Sequence, residues 1–468
     1  MIEAEARRAR RPGLALFALA SLFGLLPIAC RGGQGAAEPP AASAEPAAGD
    51  PAVVGDPGRP ASAPAAGKWR LAERPAPALD ERARALLATP YLQGYRPAAG
   101  RPVVSRHDPA RAEAGLNLYV SGHAAEAVLM DMDGVVVHRW RYELSRLWPE
   151  VYRSLGPDLA PRLEYWRRAA LLPDGGLIAI YEGLGAVRLD SRSRVVWAWR
   201  GGAHHDLFVR PDGTTWLLDR RPARPPELAG RTVLEDLVTV LGPEGTPRRR
   251  ISILRALARS RYAASLRELP PTADVLHTNT LELLDERAEQ TGLPGVRAGQ
   301  LLLSLLTLNA VAVLDPQREE LVWAARGEWR RQHQPTLLAG GGLLLFDNGG
   351  PRGASQVLEL APARGEVTWR WPAKADARTL HSKTLGSVER LPGGNTLITE
   401  SENGRAIEVT PDGEVVWEFH SPHRAGERGE LVATLFEVVR VPAEQPWLAA
   451  RPAATQPAVR PTVRPEES

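Results

Sequence analysis

The sequence predicts an all-β protein: a six-bladed β-propeller preceded by a disordered tether and carrying short helical decorations. Three observations lead there. Tryptophan-bearing strands recur after tight polar turns, at 135–140, 195–199, 321–323, 367–371 and 415–419. Trp323, Trp369 and Trp417 stand 46 and 48 residues apart, within the roughly 40 to 50 residues of a propeller blade. Turns such as Asp133-Gly134, Asp212-Gly213 and Asp412-Gly413 punctuate the strands as hairpin connections do.

The chain has 468 residues and a formal net charge of +3. Its basic residues are scattered, so no nucleic-acid footprint is expected. Arg7, Arg8, Arg10 and Arg11 precede an apolar run over 14–28, the layout of a secretory leader and too short for a membrane span. That run ends Leu25-Leu26-Pro27-Ile28-Ala29-Cys30, and Cys30 is the one cysteine of the chain. Intrachain disulfides are thereby excluded. The stretch resembles the lipobox of bacterial lipoproteins, whose cysteine is lipidated and becomes the mature N-terminus, although Pro27 stands where that motif prefers leucine. The expectation is an exported protein, periplasmic or on the cell surface, with residues 1–30 as a lipoprotein-type signal and Cys30 as a membrane anchor.

Residues 31–68 are nearly all Ala, Pro, Gly, Ser and a few acids. Such a stretch buries too little apolar surface to offset its ordering entropy and reads as a disordered linker. Within 69–114, Leu79, Ala83, Leu86 and Leu87 follow helical spacing behind Asp80 and Glu81, predicting one short helix and then a loop. The propeller itself is expected over 115–442, with blades at about 115–141, 166–200, 203–253, 277–325, 333–372 and 386–420. A strand over 431–441 is expected to pair with the first blade and close the ring. The arginine-rich segment 255–271, with leucines at helical spacing, is expected to be a helical insertion. Residues 443–468 return to Pro, Ala and Thr and are expected to be disordered. The tryptophans are expected to fill the wedges between blades.

Chemistry is suggested by a shared register. In 205–213 and 333–341 a histidine opens a strand and a glycine turn stands eight residues later, and 277–285 has an aspartate at that offset. Equivalent positions in successive blades lie at one height around the channel, so His205, His277 and His333 are expected to face one another. The same offset marks Arg167 in the second blade and Gly386 in the sixth. Arg167 with three histidines makes a cationic, donor-rich pocket suited to sulfate or phosphate. A three-histidine zinc site is the competing reading, disfavoured by the width of a channel and by Arg167. Asp206 and Asn279 lie close enough in sequence to fix imidazole tautomers. No phosphate-binding loop and no nucleophile elbow is present.

These stretches resemble the bacterial arylsulfotransferases, which need no phosphoadenosine donor. The matching residues are 204–213, Leu276-His277-Thr278-Asn279, Gln332-His333, 344–349 and, less specifically, 389–398 and 408–413. The resemblance implies a six-bladed propeller and a ping-pong reaction, in which a histidine takes the sulfuryl group of an aryl sulfate and passes it to a second phenol, with no cofactor. His333 matches the nucleophile. His205 and His277 match the flanking histidines, and Asn279 matches an asparagine beside the second; His204, next to His205, joins Asn279 and Arg167 as a candidate binding residue. One departure stands out: the family has a serine-serine-arginine stretch after the second histidine, and this chain has Ser304-Leu305-Leu306. That departure supports an alternative, an inactive exported lipoprotein propeller that binds an anionic ligand or a protein partner.

Overall fold

Two kinds of strand dominate the protein, and their burial patterns explain how its sheets stack. The structure, a computed structural model, describes residues 94, 96–98, 100–374, 376, 378–426 and 428–449. The leader with Cys30, the 31–68 linker, the 79–87 helix and residues 450–468 lie outside them. Middle strands such as Leu177–Tyr181 and Val233–Leu241 are buried at every position, as strands between two neighbouring sheets must be. Outer strands alternate: in Val195–Arg200, Trp197 and Trp199 are buried while Val196, Ala198 and Arg200 are exposed.

Six antiparallel sheets follow one another along the chain. Their innermost strands are, in order, Leu435–Val441, Trp166–Leu171, Ala203–Val209, Thr278–Leu283, His333–Leu337 and Ser387–Arg390. Each of these lies against the next, and Ser387–Arg390 lies against Leu435–Val441, so the contacts run round a closed circle. This all-β architecture follows the propeller plan. Leu435–Val441 pairs with Leu116–Ser121 of the first sheet, so a late strand completes the first sheet and closes the circle.

Three details differ from the sequence reading. The strand expected over 431–441 is divided: Leu431–Val432 pairs instead with Arg96–Pro97 and Arg424–Ala425 in a small separate sheet. Within the expected N-terminal loop, Val104–His107 adds a fifth strand to the sixth sheet by pairing with Val415–His420. In the segment expected to be disordered after 443, Pro446–Ala449 is helical and Trp447 packs near Trp140 and His138. The insertion after the third sheet is a helix, Ile253–Arg259, followed by the 3-10 turns of Ala263–Glu268. Ser252 caps the helix, its Oγ accepting from the Arg255 N–H at 3.1 Å.

The tryptophans do more than fill space. Indole N–H groups donate to a turn carbonyl of the following sheet: Trp140 to Gly175 at 3.0 Å, Trp371 to Gly413 at 3.0 Å and Trp417 to Met132 at 2.8 Å. The last of these links the sixth sheet to the first. A buried indole usually takes such a partner, and for Trp140 and Trp371 the hairpin glycine supplies it; a Cβ on Gly175 would stand 2.4 Å from the Trp447 ring.

Candidate active site

The site is built from interruptions of the innermost strands. Pairing skips residues between His204 and Leu207, between Thr278 and Leu281, between His333 and Thr336, and between Trp166 and Arg168. These β-bulges free His205, Asn279, Gln334 and Arg167 from the ladder at one end of four consecutive sheets, and bulges commonly re-aim side chains in this way. Backbone strain accompanies them: His205, His277 and Gln334 have φ of 54°, 48° and 48°, a left-handed region that non-glycine residues rarely occupy. Side chains of the preceding sheet or strand accept the amide protons released from the ladder. Glu182 accepts from His205 N at 3.2 Å, Asp236 from Thr278 N at 2.7 Å, Asp206 from Leu281 N at 2.8 Å, and Thr280 from Gln334 N at 3.0 Å. In the sixth sheet Gly386 takes the equivalent place with φ 100°, and a Cβ there would lie 2.8 Å from the Phe346 ring.

His333 is buried, and two groups hold its Nδ1: the Asn348 Oδ1 at 2.7 Å and the Arg331 carbonyl at 3.1 Å. The Asn348 amide nitrogen donates to the carbonyls of Ser382 at 2.7 Å and Leu385 at 2.6 Å, which fixes its oxygen toward the histidine. Both partners of Nδ1 are therefore acceptors, so Nδ1 carries the proton and Nε2 carries the lone pair. Nε2 has no hydrogen-bond partner among the described residues. Burial, reinforced by the positive charges of Arg167 and His277 and opposed by the Asn348 hydrogen bond, pulls the His333 pKa down to about 3. The imidazole is neutral at physiological pH.

His277 is tuned the other way. Burial opposes its charge, but the Asp274 carboxylate, 2.6 Å from Nδ1, outweighs it with help from Asp236, and the pKa is raised. Its side chain is 28 % exposed, so it can exchange protons with solvent. The His205 ring lies 5.0 Å from that of His277, centroid to centroid. His205 and His204 share a proton between their Nδ1 atoms at 2.8 Å. Burial holds both far below the ordinary histidine value, with Arg167 and His277 adding to the effect on His205, and Arg220 and His277 to that on His204.

Arg167 is 6 % exposed, and among the described residues its guanidinium makes no hydrogen bond or ion pair. It rests on the Phe436 ring at 5.1 Å. A buried arginine without an anion is costly, and here its donors remain available to one. Its neighbour Arg168 is fully engaged, ion-paired to Asp206 at 3.0 Å and to Glu437, and bonded to Gln334 at 3.2 Å. The structure thus brings Arg167, His204, His205, His277 and His333 into one electrostatic neighbourhood. Asn279 is buried beside them with its amide already in use, donating to the Gln332 carbonyl at 3.0 Å. Ser304 donates to that same carbonyl at 3.1 Å, and Leu306 enters a 3-10 turn.

Sequence reasoning gave no role to Asn348, Asp274 or Arg220. Asp274 was the easiest to find, three residues before His277. Asn348 follows the strand Leu343–Asp347, inside the stretch 344–349. Arg220, paired with Glu182 at 3.2 Å, carries no local signal.

A family model described as arylsulfotransferase (ASST) matches residues 168–422, more than half of the chain. The chain belongs to the arylsulfotransferase family. The matched range takes in His204, His205, His277, Asn279 and His333, and Arg167 lies one residue before it. A sulfotransferase-type function, with aryl sulfates as donors and phenols as acceptors, follows for the family in general. No curated protein matches the chain significantly. Similar solved structures include a protein of unknown function from Bacteroides caccae, 12 % identical with a TM-score of 0.44, covering 69 % of this chain and 98 % of that one. They also include a streptogramin B lyase, 10 % identical with a TM-score of 0.40 and covering 75 % and 96 %. A third is virginiamycin B lyase from Staphylococcus aureus, 9 % identical with a TM-score of 0.38 and covering 71 % and 99 %. Among the described residues no helix is long and apolar enough to cross a membrane.

Proposed function

We propose that this arylsulfotransferase moves a sulfuryl group from an aryl sulfate to a phenol by a ping-pong reaction through a sulfohistidine on His333. The observation that carries the reading is the fixed tautomer of His333, which leaves an Nε2 lone pair in the field of Arg167, whose guanidinium has no partner among the described residues. In the first half-reaction Nε2 attacks sulfur, the sulfur–oxygen bond to the ring breaks, and its electron pair leaves on the phenol oxygen. His277, protonated and held by Asp274 through Nδ1, gives that oxygen a proton. Arg167 donates to the sulfuryl oxygens as charge builds on them, in place of the family arginine where Leu306 stands. In the second half-reaction the acceptor phenol passes its proton back to His277, its oxygen attacks sulfur, and the Nε2 electron pair returns to the ring. His205 lines the pocket beside His277.

The reading includes a six-bladed propeller as the scaffold, export across the inner membrane and anchoring through a lipid on Cys30. Incubation with p-nitrophenyl sulfate and a phenol acceptor tests it: nitrophenol should appear with the parent protein and not with His333→Ala. Equal release by both would remove His333 from the reaction. Binding of aryl sulfate without any release would favour the inactive, ligand-binding alternative.

A further inference from the structure

A second group of histidines lies where the circle of sheets is sewn shut. His123 sits in the turn between Leu116–Ser121 and Glu126–Met130 of the first sheet, and His423 in the link from the sixth sheet to the strand that closes the first. Three hundred residues separate them in sequence, yet their rings lie parallel with centroids 3.5 Å apart. Glu126 completes the group: one ligating atom from each of the three side chains lies within 4.8 Å of the others. From this the geometry points to a divalent metal site, most suited to zinc, formed by His123, Glu126 and His423 and clamping the seam between the first and sixth sheets.

The donor set is the first argument. Two imidazoles and a carboxylate are a zinc-binding combination, leaving one position for water. Spacing is the second. Ligands about 2.1 Å from a tetrahedral ion stand about 3.4 Å from each other, and the Glu126 Oε1 lies 3.4 Å from His123 Nε2. Orientation is the third. Ser121 Oγ holds His123 Nδ1 at 2.5 Å, which leaves Nε2 as the ligand, and the Tyr119 hydroxyl holds His423 Nε2 at 2.9 Å, which leaves Nδ1 as the ligand; metal-bound histidines are held this way through the other ring nitrogen. Arg139 donates to that same Oε1 at 2.5 Å; its side chain is 45 % exposed, and an ion would shift it to the other carboxylate oxygen. An ion would draw the two rings out of their stack.

The test uses the full chain, stripped with a chelator and then given zinc chloride. Zinc retained after desalting should be one ion per chain in the parent protein and in His333→Ala, and absent from His123→Ala and His423→Ala. Zinc should also raise the unfolding midpoint of the parent by about 3 °C or more at concentrations well above its Kd. Should His423→Ala fail to fold, Glu126→Gln and His123→Asn, which change less of the seam, decide in its place: the proposal expects at least about tenfold weaker zinc binding from each. No zinc retained by the parent would overturn the proposal. So would retention that survives loss of His123 and disappears in His333→Ala, since that would place the ion in the catalytic ring.

Discussion

The histidines around Arg167 and those of the seam lie at the same end of the sheets, and their neighbours give them opposite surroundings. His205 and His333 feel the charge of Arg167, whose guanidinium has no ion-pair partner among the described residues, and burial keeps both imidazoles neutral. His123 and His423 have Glu126 and the Tyr119 hydroxyl instead. The same side chain is therefore proposed to serve an anion in one place and a cation in the other, and the difference lies in the charge brought by residues from other strands. Local backbone differs as well. The ring histidines sit in or beside bulges that recur from sheet to sheet, whereas the seam pair sits in turns and links outside any repeat.

Breaking the ring should have the largest effect. His333→Ala is expected to lower sulfuryl transfer by about 10⁴-fold or more, because no other group replaces the nucleophile; steady-state release of nitrophenol measures it. Arg167→Ala should cost about 10²- to 10³-fold in kcat/KM, the usual loss for one donor to a developing anion. A lysine there should recover part of this, since charge returns without the two-pronged geometry.

His277 sharpens the comparison through pH. Its pKa is raised, so the acid form is favoured up to that value and is lost as pH climbs through it. Transfer from phenyl sulfate, a poor leaving group, should fall along that alkaline limb. Transfer from p-nitrophenyl sulfate should fall much less. His277→Gln should cost about 10²-fold on phenyl sulfate and flatten its alkaline limb. On the acid side no loss from His333 is expected until pH approaches its value of about 3. Asn348→Ala should lower kcat roughly 10- to 100-fold with little change in KM, because it releases the tautomer and leaves the anion pocket intact.

The smallest effect belongs to the scaffold. Trp197→Ala, which opens the wedge between the second and third sheets, should destabilise the fold by about 3 to 5 kcal/mol while leaving ring geometry and kcat in place. Denaturant unfolding with parallel activity measurements checks both halves of this statement.

Much of the ring was legible in the sequence because repeats convert distance along the chain into position around a circle. The offset from histidine to turn selected His205, His277, His333 and Arg167, and their proximity is what the structure shows. The offset could not show that Asn348 fixes the His333 proton, because that depends on carbonyls of Ser382 and Leu385 in the following segment. Nor could it show that Asn279 spends its amide on a backbone carbonyl. The seam was illegible for a related reason: His123 and His423 share no register and meet only through closure of the first sheet. Composition also misled in the tail, where Trp447 anchors a short helix amid Pro and Ala, because one indole buries enough surface to order its neighbours.

The central claim is that His333 Nε2 carries the sulfuryl group between donor and acceptor. Incubating the protein with p-nitrophenyl sulfate and no acceptor, then digesting under neutral conditions and measuring peptide masses, tests it most directly. The account predicts one added SO3 group on the peptide containing His333, removed when a phenol is supplied. Turnover in the presence of acceptor, with that peptide never modified or with the group on another residue, would contradict it.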